Sequence, residues 1–405
     1  MGAETAAVNL SRRRATLGTG GAAHFVHDGL SDSLYVLLPL WAQGFGISHA
    51  QVGLLKMAFS GGLSAFQLPA GFLAERWGER IVLALGTAVA GLGFVLLGFA
   101  GGFAGLLLCL LLTGLGSGVQ HPLASSVVSK AYDGGPRRAA LGTYNFAGDL
   151  GKVAVPPLIA ALAVAVGWRT GAVSYGLAAM AAGLAVYFVL RRLGAGGPAA
   201  PPAEPAEGPR AGGWGLRDRR GFAALSAIGV IDSAVRTPFL TFVPFLLIAK
   251  GAQVETVGFA LALIFAGGAA GKLICGLAAE RVGIIRTVVL TEVATGAGIL
   301  VLVFLPLGWA LALLPLVGAA LNGTSSVLYG TVGDFVAAER RSRAFGLFYT
   351  LGIGAGALSP VAFGLLSDHS GIETTLLVLG CVAFLTLPLC QVLRPSLVAA
   401  GAAPE

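Results

Sequence analysis

"GFLAERWGER" at 71–80 returns as "GLAAERVGII" at 276–285, an offset of 205 in a chain of 405 residues. A Gly-x-x-Ala-Glu-Arg-x-Gly turn recurring half a chain apart marks two like halves. Two further stretches repeat at nearly the same offset. "AALGTYNFAGDLGKVAVPP" at 139–157 matches "RAFGLFYTLGIGAGALSPV" at 343–361, with Pro156 over Pro360. "HDGLSD" at 27–32 is answered by "VIDSAVR" at 230–236, which pairs Asp28 with Asp232 and Asp32 with Arg236.

The residues around these repeats are too apolar for a water-soluble surface. The chain is 56% hydrophobic and 11% charged, against about 25% charge in a soluble domain, and its mean hydropathy is +0.84. The apolar runs are long and continuous rather than alternating, and the 62 glycines suit close-packed membrane helices. Twelve runs have the roughly 20 residues that a membrane-spanning helix needs: 20–45, 50–74, 81–101, 103–130, 140–166, 169–192, 221–249, 254–280, 284–305, 308–336, 342–366 and 371–393. The stretch "GAGGPAAPPAEPAEGPRAGG" at 194–213 lacks apolar bulk and reads as a loose linker. The expected organisation is a cytoplasmic tail at 1–19, a six-helix bundle at 20–193, a linker at 194–219, a second six-helix bundle at 220–394 and a tail at 395–405. This is an all-α integral membrane protein of twelve transmembrane helices in two pseudosymmetric bundles, the architecture of an alternating-access carrier.

The net charge of +7 follows from topology rather than nucleic-acid binding. With a cytoplasmic N-terminus, twenty of the 26 basic residues fall in cytoplasmic loops and tails, as the positive-inside rule requires. Both termini are therefore expected in the cytoplasm of a cell (inner) membrane, multi-pass. Cys109, Cys275, Cys381 and Cys390 lie in apolar runs without metal-type spacing and read as small core residues.

The motif Gly71, Leu73, Glu75, Arg76, Gly78 and Arg80 resembles the loop signature of the major facilitator superfamily, with Glu75 at a position usually held by Asp. "HFVHD" at 24–28, "GSGVQHP" at 116–122 and "FAGDLG" at 146–151 are similar to the fosmidomycin resistance protein group of exporters within it. His27, Leu123 and Asp149 depart from that group's pattern. The superfamily resemblance implies two bundles rocking about a central site, and it implies a gating role for Glu75 and Arg76. The group resemblance implies proton-driven efflux of a small molecule.

Ionisable residues inside a span are costly and tend to line a cavity or a pathway. Asp28 and Asp32 share a helix face at i,i+4. Two such carboxylates repel in low dielectric, so one is expected to hold a proton. His24 and His27 flank them, and a His–Asp couple suits proton relay. These four residues form the expected proton-coupling set; an alternative for Asp28 is packing against a basic residue of another helix. Arg236 and Lys152 suit a carboxylate or phosphate, one as a fork and the other as a point charge. Asp149, Asp232, His121, Tyr35 and Tyr144 complete the expected substrate site. Glu75, Arg76, Arg80 and Asp334 form the expected gate. Lys56 and Lys272 are placed to snorkel to an interface.

The expected function is a proton-coupled secondary transporter exporting a small anionic or zwitterionic organic solute by alternating access. Symport of an organic anion is the alternative, with a multidrug or metal-complex exporter behind it. No enzyme motif, cofactor or resident metal is expected. The expected partners are protons, a small-molecule substrate and the lipid bilayer, with a functional monomer and no nucleic acid.

Overall fold

The computed structural model describes residues 2–133, 136–198, 216–336 and 341–399. Most of the expected linker, together with Arg210, Arg340 and the last tail residues, lies outside that set. The described residues are helical almost throughout. In the first half they form α1 (Gly2–Phe45), α2 (His49–Trp77), α3 (Glu79–Leu97), α4 (Phe103–Ser117), α5 (Gln120–Ala131), α6 (Arg137–Val166) and α7 (Trp168–Arg192). The second half forms α8 (Arg219–Ala249), α9 (Val254–Val282), α10 (Ile284–Phe304), α11 (Leu307–Thr331), α12 (Arg341–Ala383) and α13 (Thr386–Ala399).

Nine stretches of the described residues are long and apolar enough to cross a membrane. One of them, Ala344–Val398, runs for 55 residues and breaks at Gly371 (φ 82°), so it holds two crossings. The windows of α1 and α2 do not qualify; α1 carries His24, His27, Asp28 and Asp32, the residues of interest. With these two helices the described chain accommodates twelve crossings.

Four glycine turns reveal the repeat in the backbone. Gly78, Gly167, Gly283 and Gly371 have φ of 86°, 84°, 98° and 82°, a left-handed region open to glycine at little cost. Each joins two consecutive helices through one residue. Gly78 and Gly283 are the repeated turns of the 71–80 and 276–285 motifs, and Gly167 and Gly371 stand 204 residues apart.

Three boundaries differ from the sequence expectation. The expected tail at 1–19 is helical from Gly2 and continuous with the first span. Its Arg12 bonds the Leu193 carbonyl and its Arg13 the Asp133 carbonyl (3.3 Å), supplying cations to the C-terminal ends of α7 and α5, where the helix dipole favours them. The fourth span is split between α4 and α5 around Gly118, just ahead of Pro122, whose ring does not fit a helix interior. The tenth span ends at Thr331 and continues as one 3₁₀ turn, Val332–Phe335.

The chain forms two compact units, Met1–Leu40 with Ala58–Ala206, and Trp41–Met57 with Glu207–Glu405. Each has its own core. In the first, Val82, Val119, Ala124, Val127, Tyr144 and Leu190 pack together; in the second, Phe222, Ile228, Val288, Leu328, Phe335 and Leu393 do so. Within the second unit the Asp368 carboxylate accepts from the backbone N–H groups of His49 (2.7 Å) and Ala50 (3.0 Å). It thereby caps the first turn of α2. Lys56, expected to snorkel, is 5% exposed; it is buried in the second unit.

Candidate functional site

In the first unit α1 lies hard against α6. A Cβ at Gly151 would stand 2.2 Å from the Phe25 carbonyl oxygen, and one at Gly148 would stand 2.5 Å from His24 Nε2 and 2.7 Å from Asp28 Oδ2. These glycines let the helices approach closely enough for Lys152 to reach α1. Lys152 Nζ lies 3.3 Å from Asp28 Oδ2 and 3.9 Å from Asp32 Oδ2. The expected carboxylate repulsion is thus relieved by a cation bridging both groups, which the one-helix reading of Asp28 and Asp32 left out. Asp149 is in electrostatic reach of Lys152 as well.

The remaining contacts of Asp28 are imidazoles. His24 Nε2 lies 3.2 Å from Asp28 Oδ2, and His121 Nε2 on α5 lies 3.9 Å from Oδ1. His24 Nδ1 faces the Tyr144 carbonyl at 3.0 Å. A carbonyl only accepts, so Nδ1 carries the hydrogen, a tautomer assigned from its partner. A neutral His24 would then point a lone pair from Nε2 at a carboxylate, acceptor against acceptor. A proton taken up by the cluster would bridge Nε2 and Oδ2. With it, the charges of Asp28, Asp32 and Lys152 cancel. The His24 ring lies 4.4 Å from that of Tyr144 and edge-on to His121 at 5.2 Å, and Gln120 donates to the Tyr144 hydroxyl (2.9 Å). Tyr35 is buried in the same helix as Asp28.

His27 departs from the expected set. Its Nε2 meets Thr87 Oγ1 of α3 at 2.9 Å, and the Thr87 hydroxyl already donates to the Leu83 carbonyl (2.7 Å). His27 is therefore the donor in that bond, and its Nδ1 is buried without a partner among the described residues. One residue from Asp28 in sequence, it points to a different helix.

The second unit has its own cluster. Arg236 pairs with Asp232 one turn away (3.5 Å) and donates to Ser233 (3.4 Å). Glu292 on α10, in electrostatic reach of both Asp232 and Arg236, escaped the sequence reading. A carboxyl in the run "TVVLTEVATGAGILVLV" was the signal available. Tyr329 stacks on Tyr349 at 4.5 Å nearby.

At the loop motif the ion pair is made by Glu79, beside the residues expected to gate. Glu75 and Arg76 are exposed and make no ion pair among the described residues. Buried Glu79 takes Lys130 at 2.8 Å and a hydroxyl bond from Ser126. The Arg80 N–H donates to the Gly196 carbonyl (2.8 Å). In the other half Asp334 is exposed on the 3₁₀ turn and lines a cavity of about 570 Å³ with Glu280 and Arg394.

Comparison with known proteins identifies the family and the fold. A sequence model of the Major Facilitator Superfamily matches residues 21–251 and again 225–403. The chain is 26% identical to the fosmidomycin resistance protein of Escherichia coli over 402 residues, 94% of this chain and 93% of that protein. It is 32% identical to a probable sulfoacetate transporter of Cupriavidus necator over 150 residues, 36% of this chain and 35% of that one. Its fold matches that of a bacterial homologue of the human lysosomal transporter Spinster, with a TM-score of 0.80 at 17% identity, covering 97% of this chain and 99% of the other.

Proposed function

We propose that this chain, which belongs to the Major Facilitator Superfamily and is a multi-pass membrane transporter of small organic solutes rather than an enzyme, carries a small organic anion coupled to protons. The observation that carries this reading is Lys152 held between Asp28 and Asp32, with His24 Nε2 against the same Asp28 oxygen.

The coupling follows from competition for one cation. In the resting cluster both carboxylates occupy Lys152. An organic anion that engages Lys152 must displace at least one of them, and an unpaired carboxylate in a poorly solvated site is expensive. Protonating Asp28 removes that cost. Proton and anion therefore favour each other's binding, by an equal factor in each direction. This is the thermodynamic sign of symport. Alternating access converts the shared affinity into transport because the ligands shift the populations of the two states.

A second reading, export by antiport, is favoured by the similarity over nearly the full chain to a fosmidomycin resistance protein. It requires the solute to compete with the proton, as a zwitterion does when its cationic group takes Asp28 or Asp32. The chemistry common to fosmidomycin and sulfoacetate is a compact anion, which suits the Lys152 ammonium. We place both termini in the cytoplasm on the distribution of basic residues and take the monomer as the working unit.

Proteoliposomes loaded with fosmidomycin or sulfoacetate and given an imposed pH gradient test both readings. Symport predicts movement of anion and proton in the same direction, and antiport predicts opposite directions. Flux indifferent to the gradient would overturn proton coupling altogether.

A further inference from the structure

The second unit contains a carboxyl group that the cycle above does not use. Glu292 is 2% exposed, midway along α10, and forms no ion pair among the described residues. Threonine hydroxyls of two neighbouring helices lie beside it. Thr386 Oγ1 on α13 lies 3.5 Å from Glu292 Oε2, but its one hydrogen goes to the Ala383 carbonyl at 2.6 Å. The Thr324 hydroxyl on α11, also bonded to Glu292, sends its hydrogen to Thr291 Oγ1 at 2.7 Å. Thr291 in turn donates to the Thr287 carbonyl at 2.9 Å. The Thr386 hydroxyl has a much closer acceptor in the Ala383 carbonyl than in Glu292, and a carboxyl so buried without an ion pair is held at less cost as the neutral acid than as the carboxylate.

We propose that Glu292 is a proton-binding site of the second unit, stored as the neutral acid. The inference takes proton-coupled transport as its setting. Asp232 and Arg236 on α8 are the charged groups that act on Glu292, the Cys390 thiol faces it from α13, and neither α9 nor α12 brings a titratable group to bear on it among the described residues. With Glu292 neutral, Asp232 and Arg236 cancel and the buried group carries no net charge.

Infrared spectroscopy of the purified protein in lipid reads the acid directly. A carboxylic-acid carbonyl band sensitive to deuterium exchange is expected at neutral pH, lost in Glu292→Gln and retained in Asp28→Asn. A band unchanged in Glu292→Gln, or no such band in the wild type, overturns the assignment. Glu292→Asp provides a second variant, in which the band should shift rather than vanish; an unshifted band also overturns it. Fosmidomycin flux separates this claim from the wider reading. Glu292→Gln should retain exchange counterflow and lose accumulation driven by a pH gradient. Full gradient-driven accumulation in Glu292→Gln refutes the inference, while a wild type indifferent to the gradient refutes the coupling reading even if the band belongs to Glu292.

Discussion

The two units place carboxylates at matching repeat positions and neutralise them by different means. Asp28 and Asp232 are repeat equivalents, each buried in the first helix of its half. In the first unit the balance comes from another helix, with Lys152 of α6 lying 3.3 Å from Asp28. In the second it comes from the same helix, with Arg236 one turn on at 3.5 Å. The third helices diverge in the same way. Thr87 of α3 receives a hydrogen bond from His27, and the position 205 residues later on α10 is Glu292. The first unit is thus a charged cluster partly open to solvent, with the Lys152 side chain 29% exposed, and the second keeps a proton in a closed threonine nest. Duplication supplied the scaffold, and substitution on single helix faces set the chemistry of each half.

Lys152→Ala should break the comparison most severely. It leaves the buried Asp28 and the half-buried Asp32 without their shared cation, which costs about 3 kcal/mol for a broken buried pair. Thermal unfolding in detergent measures this, and Lys152→Met combined with Asp28→Asn should recover most of the loss. Failure of the double variant to recover would mean that the pair is not the source of the cost.

Gly148→Ala tests the approach of α1 to α6. The added Cβ meets His24 and Asp28 at 2.5 and 2.7 Å, so overpacking should cost roughly 2 kcal/mol and disturb the pairing of Lys152. Gly142→Ala, with nothing within 4 Å, is the matched control and should be close to neutral.

Asp218→Ala removes the N-cap of α8, which accepts from the Arg220 and Gly221 N–H groups, at a cost of about 1 kcal/mol. The Ser396 hydroxyl first, then these backbone donors, hold the Asp218 carboxyl below its ordinary range. A carboxyl with a depressed folded-state value contributes stability above its unfolded value and loses it as the pH falls through the folded one. The difference between Asp218→Ala and wild type should therefore be full at neutral pH and vanish in acid.

Glu292→Gln should have the smallest effect on stability, within about 0.5 kcal/mol. The amide N–H donates where the acid O–H did. A large loss of stability would indicate an ionised Glu292 and remove the contrast between the units.

Much of this architecture was legible in the sequence because it is written in periodic or repeated features. The 71–80 and 276–285 motifs announced two halves, and the apolar runs announced the spans. Asp28, His24, His121, Tyr144 and Lys152 were singled out because charge and imidazole are conspicuous in a membrane helix. That Asp28 pairs with a basic residue of another helix was one of the readings open, and Lys152 supplies it; which base it would be was not legible. Lys152 has Asp149 three residues away, yet it reaches Asp28 on another helix because Gly148 and Gly151 bring the backbones together. A neighbour in sequence was a poor guide for His27 too, since one residue turns a helix by about 100° and carries its ring from the Asp28 face to Thr87. Glu292 escaped notice because no second charge within one turn pointed to it; its partners come from α8, α11 and α13.

The most direct test of the central claim, that an organic anion and Asp28 contend for Lys152, is the number of protons exchanged on binding. Calorimetric titration of fosmidomycin into the purified transporter, repeated in buffers of different ionisation enthalpy, gives that number. The account predicts proton uptake by the wild type, its loss in Asp28→Asn and a severe loss of affinity in Lys152→Ala. Binding without proton exchange, with affinity intact in Lys152→Ala, would contradict it.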